Sequence, residues 1–104
     1  MIVGNISYID MLYVSDYGIR CLITFSNEVN LTITVDELIK RIHKFHSYYI
    51  DGGIILKIDV LKEEDFILEL IKKLKMINLN IIIKGIKNND YSKYYNLVDK
   101  IIIE

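Results

Sequence analysis

Proline, tryptophan, alanine and glutamine are missing from this sequence, and cysteine occurs once, at position 21. A single cysteine excludes an intramolecular disulfide and any metal site built from several thiolates of one chain. It sits in an apolar stretch, Arg20-Cys-Leu-Ile-Thr-Phe25, where a buried, inert thiol is expected rather than a nucleophile. The first thirteen residues show no basic segment ahead of a long apolar core, so they do not read as a signal peptide. No apolar run approaches the roughly 20 residues that span a bilayer. A soluble, cytoplasmic chain without membrane contact is expected. Its formal net charge of −1 offers no cationic excess for a phosphate backbone, so nucleic acid is not an expected partner. There is no P-loop, G-x-G-x-x-G, zinc signature or serine or cysteine nucleophile motif.

What is there is one domain, 1–104, since a second would need roughly 50 residues of its own. The chain is 52% hydrophobic with mean hydropathy +0.28, enough to fill a core. Lysine, isoleucine, asparagine and tyrosine are used heavily, as AT-rich codon usage produces, so their abundance carries no functional signal.

Residues 6–14 read as an extended edge segment, Ser15-Asp16-Tyr17-Gly18 as a turn, and 19–25 as a strand buried on both faces. Thr34-Val-Asp-Glu37 is a capping box that opens a helix with Val35, Leu38, Ile39, Ile42, Phe45 and Tyr49 on one face. Asp51-Gly52-Gly53 is expected to close that helix with a left-handed glycine. Residues 54–58 form a second buried strand, 62–76 a second helix, 79–83 a third strand, 90–96 a short helix and 98–103 a fourth strand. Strand–helix alternation with continuous apolar strands predicts parallel pairing. The expected fold is α/β: a partial, (βα) barrel-like open parallel sheet of about four strands with helices on the outer face, plus an N-terminal extended segment.

Gly4-Asn5-Ile6 with Ile9-Asp10, then Gly18-Ile19-Arg20, Thr34-Val-Asp-Glu-Leu-Ile39, Phe66-Ile-Leu-Glu-Leu-Ile71 with Asn78-Leu-Asn-Ile81, and Leu97-Val-Asp99 with Ile101-Ile-Ile-Glu104 follow one another in order. In content and spacing they resemble the glycyl-radical-enzyme activating enzymes, of the pyruvate formate-lyase activating enzyme type, in the radical SAM superfamily. The resemblance implies a radical SAM-like scaffold from an anaerobic setting. It also exposes departures. That family carries C-x-x-x-C-x-x-C after its first strand, where Phe25–Thr34 here has no cysteine. Its S-G-G-E, which holds the amino end of S-adenosylmethionine, is matched by Leu56, Lys57, Ile58 and Asp59, of which Asp59 alone keeps an acid. Its third-strand D-T-[SN]-G is replaced by Lys84-Gly85-Ile86, and the family continues with further βα units where this sequence reaches Glu104. Without the three thiolates no open iron cleaves the sulfonium. A degenerate, truncated and non-catalytic relative is expected, with no cofactor, acting by protein–protein interaction and linked to a glycyl radical enzyme or its activase.

The alternative is a repurposed small-molecule or metal-binding domain using strand-end residues Asp59, Lys57 and Lys84, because α/β sheets place ligands at carboxyl strand ends. His43 and His46, three apart on the first helix, are the candidate metal pair. Asp16 or Asp10 with Arg20 reads as a structural polar cluster, and Tyr91, Tyr94 and Tyr95 as core or rim packing. A truncated barrel leaves an isoleucine-rich inner face drawn from Ile54-Ile55, Ile81–Ile83 and Ile101–Ile103, and an open edge strand. A homodimer, another protein or residues 1–14 are expected to cover it.

Overall fold

In the computed structural model, which describes residues 8–50 and 52–104, the chain runs β1 (Ile9–Ser15), β2 (Gly18–Phe25), α1 (Val35–Phe45), β3 (Gly53–Ile58), α2 (Glu64–Met76), β4 (Asn80–Gly85) and β5 (Lys100–Ile103). Single 3-10 turns, His46–Tyr48 and Ser92–Tyr94, follow α1 and precede β5. The sheet has the order β1-β2-β3-β4-β5, with β1 antiparallel to β2 and β2 to β5 parallel. The α/β class stands, but the count of about four strands is corrected to five: the N-terminal segment is itself a sheet strand. The Gly4-Asn5-Ile6 piece and Asp51 lie outside the described residues. No helix among the described residues is long and apolar enough to cross a membrane.

The β1–β2 turn forms because Gly18 takes φ 97°, a left-handed conformation that glycine adopts without a Cβ penalty. Ser15 Oγ locks the turn, donating to Gly18 O at 2.9 Å and accepting from Tyr17 N at 3.1 Å.

Helix α1 begins where the capping box predicts. Thr34 Oγ1 accepts from Glu37 N at 3.1 Å, and Val35, Leu38 and Ile42 are buried. Thr34→Ala should therefore cost about 1 kcal/mol in chemical denaturation, with the wild-type far-UV spectrum retained. The helix ends at Phe45, and Tyr49, placed on the helical face by periodicity, leaves it to donate its hydroxyl to Met11 O at 2.8 Å.

The left-handed glycine expected after α1 is not what the structure shows, since Gly52 and Gly53 have no positive φ. They are required by close approach instead. A Cβ on Gly52 would lie 2.7 Å from Ile19 O, and one on Gly53 2.8 Å from Asn80 N.

Helix α2 stops through Asn78, which takes φ 61°. The amides of Asn78 and Leu79 then bond back to Lys75 O at 3.0 Å and Leu74 O at 3.2 Å, a Schellman closure built on asparagine. The helix expected over 90–96 shrinks to the Ser92–Tyr94 turn, because Tyr91 and Tyr94 are drawn into the core at 2% and 1% exposure.

Cys21, Ile23 and Phe25 of β2, Ile54, Leu56 and Ile58 of β3 and Ile81 and Ile83 of β4 join one core cluster with Leu38 and Ile42 of α1 and Ile67, Leu70, Ile71 and Leu74 of α2. Both helices therefore cover the same face of the sheet. Asp36–Lys73 ties α1 to α2, and Glu64–Lys93 ties α2 to the segment before β5.

The opposite face carries the alternate residues of each strand. Parallel register sets them in rows: Leu22, Ile55, Ile82 and Lys100, then Thr24, Lys57, Lys84 and Ile102. This corrects the picture of a bare isoleucine face. Ile54, Ile81, Ile83 and Ile101, assigned to it, pack toward the helices instead. Ile55 and Ile82, which do lie on it, are 0% and 3% exposed within the single chain. At the amino end of the face the Lys100 ammonium lies 5.2 Å from the Tyr17 ring centroid, so side chains of the hairpin turn and β5 meet across the two strands between.

Both sheet edges are blunted. The register of β1 shifts between Asp10 and Tyr13, and Asp10 Oδ1 accepts from Leu12 N at 3.2 Å there. On the far side β5 is 4 residues long and begins with a lysine. Bulges, short strands and edge lysines are the devices that discourage strand addition.

Candidate functional site

The carboxyl ends of β3 and β4 bring the predicted Lys57 and Lys84 together on the face opposite α1 and α2, with Asp59 just past the end of β3. Lys57 and Lys84 are register partners on neighbouring parallel strands, and Thr24 is the partner of Lys57 on its other side. All are half-buried. A hydroxyl and two ammonium groups thus form a row of donors across strands about 4.8 Å apart. Lys84 Nζ lies 3.3 Å from Glu104 Oε2, with 23% of the lysine side chain exposed against 55% of the glutamate. Lys57 has no ion-pair partner among the described residues.

Asp59 stands one step beyond Lys57 along the strand direction, about 6.6 Å away by strand rise. Its amide extends the ladder to Phe25 O at 2.9 Å, and its carbonyl accepts from Asn89 Nδ2 at 3.1 Å. Its Oδ1 is enclosed and meets no donor among the described residues. An enclosed carboxylate oxygen without a donor is a local deficit of about 1–3 kcal/mol, which an added donor would relieve.

Tyr91 fixes this end of the sheet from the helix side. Its hydroxyl donates to Ile58 O at 2.6 Å and accepts from Ile86 N at 2.9 Å and Asn89 Nδ2 at 3.2 Å. One phenol oxygen therefore clamps the last turns of chain that follow Lys57 and Lys84. Neither this clamp nor the Lys84–Glu104 pair was visible in the sequence. The only hint was the position of Glu104, two residues beyond a position that alternation places beside Lys84.

Elsewhere the predicted groups take structural parts. Arg20 is 5% exposed, and its Nε donates to Tyr17 O at 3.1 Å. Burial pulls its pKa below the ordinary guanidinium value, while the charge of Asp99, rather than Asp16, opposes the shift. Asp99 Oδ2 accepts from Ile81 N at 2.7 Å, closing the start of β4. The His43 and His46 rings stack face to face at 4.8 Å and 3°. His46 Nδ1 is engaged with His43 O at 2.9 Å, which takes that nitrogen out of play as a ligand. No third histidine, cysteine or acid joins them in a metal-binding group among the described residues.

Nor do the residues present fit an iron–sulfur cluster with S-adenosylmethionine. The sole thiol, Cys21, is 0% exposed and packs inside the core with its Sγ 3.9 Å from Met11 Sδ. Leu56 and Ile58, at positions the resemblance gives to ligand-binding residues, point into the helix-covered core at 0% exposure. No protein-family model, curated protein or solved structure matches the chain.

Proposed function

We propose that this chain is a non-catalytic binding domain that takes a small molecule at the carboxyl strand ends of the face opposite α1 and α2. The observation that carries the reading is the in-register, half-buried pair Lys57 and Lys84 beside the unmet carboxylate oxygen of Asp59. Lys84 is met by Glu104 alone and Lys57 by no acid among the described residues, and half-buried charge of one sign costs stability unless something offsets it. The sequential order of β2 to β5 with both helices on one face supports a partial (βα) barrel of the radical SAM-like kind as the scaffold. In such folds ligands sit at the carboxyl ends of the parallel strands.

Thermal unfolding against nucleotides, S-adenosylmethionine, divalent metals, and small phosphates and carboxylates tests this. A ligand at 100 times its Kd adds about 2.7 kcal/mol, which raises Tm by about 10 °C or more in a domain of this size. Lys57→Met with Lys84→Met should abolish the shift. If no class of ligand raises Tm, the reading fails.

A second reading, a protein–protein scaffold linked to a glycyl radical enzyme, its activase or a second copy of this chain, is favoured by exposed apolar residues beside α1. Leu12 and Val14 of β1 are 40% and 77% exposed, and Tyr48 and Ile50 are 58% and 86% exposed. Under it, light scattering of the purified chain gives twice the monomer mass, or the named enzymes bind in anaerobic pull-downs; the strand-end reading requires neither.

A further inference from the structure

Glu104 occupies the place that an anionic ligand would take on Lys84. Its amide is held by Gly85 O at 2.9 Å, which carries the β4–β5 ladder one residue past β5. The backbone is thereby fixed, while the side chain is more than half exposed and free to turn away. Lys84 is the more enclosed member of the pair, and Lys57 beside it holds an equal charge with no acid against it among the described residues. One carboxylate thus holds one ammonium group of a row that also carries Lys57 and Thr24.

We propose that the row Thr24, Lys57 and Lys84 binds a compact dianion, a phosphoryl group, and that Glu104 is its tethered competitor. The inference rests on the strand-end reading above. Lysine binds phosphate as a point charge, and two such charges on neighbouring strands match a dianion once Glu104 has turned away. The Thr24 hydroxyl supplies a third donor in the same row. Asp59, one step outward, repels a second anionic group. Its enclosed oxygen calls for a donor, so the preferred ligand is a monophosphate bearing a neighbouring hydroxyl rather than a polyphosphate. When the phosphoryl group enters, Glu104 swings to solvent and gives up a partly exposed ion pair, which holds it only weakly.

The test is a titration of the 15N-labelled chain with inorganic phosphate and, separately, glycerol 3-phosphate, followed by amide resonances and by calorimetry. Wild type is compared with Glu104→Gln, Lys57→Met and Lys84→Met, methionine keeping a long unbranched stem without the charge. Phosphate should move the amides around Thr24, Lys57 and Lys84 in wild type. Glu104→Gln should tighten it about two- to fivefold, the effect of removing one exposed carboxylate. Each lysine replacement should weaken it about tenfold or more. Glycerol 3-phosphate should bind more tightly than inorganic phosphate and also move the Asp59 amide; equal affinities without that shift overturn the assignment of Asp59 to the ligand's hydroxyl. Unchanged affinity in Glu104→Gln, with binding intact, overturns the competition and leaves the strand-end site standing. Silence toward both phosphates, with another compound moving the same amides, overturns the dianion alone; silence toward every compound removes the strand-end reading with it.

Discussion

Gly85→Ala should destabilise the chain by about 3 kcal/mol, more than a single methyl group in a loosely packed site would. A Cβ at this position would overlap the Tyr91 ring and stand 2.9 Å from its hydroxyl oxygen. The ring is 2% exposed and belongs to the core cluster, so it has no open side into which to retreat. Overpacking alone costs about 1–3 kcal/mol. Moving the ring also breaks the hydroxyl's bonds to Ile58 O and Ile86 N, leaving buried backbone groups unpaired at about 1–3 kcal/mol each. Partial relaxation of the ring keeps the total near the low end, about 3 kcal/mol, which for a domain of this size corresponds to a fall in Tm of about 10–20 °C. A double-mutant cycle identifies the cause. In a Tyr91→Ala background the ring is gone, and Gly85→Ala should then cost less by about 1–3 kcal/mol. Strict additivity would show that Gly85 is needed for some other reason. Because the clamp holds the ends of β3 and β4, Gly85→Ala should also weaken ligand binding at Lys57 and Lys84 beyond its effect on folding.

That clamp shows where sequence reasoning stops. Thr34 and Glu37 announce the start of α1 because a capping box is a local device, complete within four residues. The end of α2 is equally local, yet it is built on Asn78 where glycine is the usual signal, and so it is silent. The runs Ile54-Ile-Leu56 and Ile81-Ile-Ile83 carry no two-residue alternation, so nothing in them tells which side chain meets the helices. Only the register does, and it sends Ile54 and Ile81 to one face and Ile55 and Ile82 to the other. The same is true of the site. Lys57 and Lys84 were recognisable as strand-end residues from their positions after apolar runs. That they are direct neighbours depends on pairing between segments 27 positions apart in sequence. The tyrosines at 91, 94 and 95 looked helical by spacing, but burial of the first two against the sheet replaced helical hydrogen bonding with bonds from a side-chain hydroxyl.

Alkaline pH should unfold the chain through Cys21. The thiol is fully enclosed, and burial, aided by the charge of Asp10, pushes its pKa up to about 12 from an ordinary 9.0. Tyr49, packed near it, is likewise pushed above its ordinary value, chiefly by burial. A raised acid pKa means that the folded chain holds a proton which the unfolded chain has released. The stabilisation is complete below about pH 9 and is lost as pH climbs toward 12. Each pH unit in that window costs up to about 1.4 kcal/mol per group, and three units at Cys21 give roughly 4 kcal/mol. Lysines and exposed tyrosines titrate in the same range, so the measurement is a difference. Wild type and Cys21→Ala are unfolded by urea at intervals from pH 7 to 11. At pH 7 wild type should be the more stable, since alanine leaves a small cavity beside Met11. The gap should close above pH 9 and reverse at about pH 10–11, because the alanine variant has no thiol to ionise on unfolding. A gap that stays constant across the range would mean that the folded thiol ionises as readily as the unfolded one. A disulfide-exchange reagent at pH 8 gives the kinetic counterpart: the native thiol should react only as fast as the chain opens globally, with reaction accelerating in step with added urea.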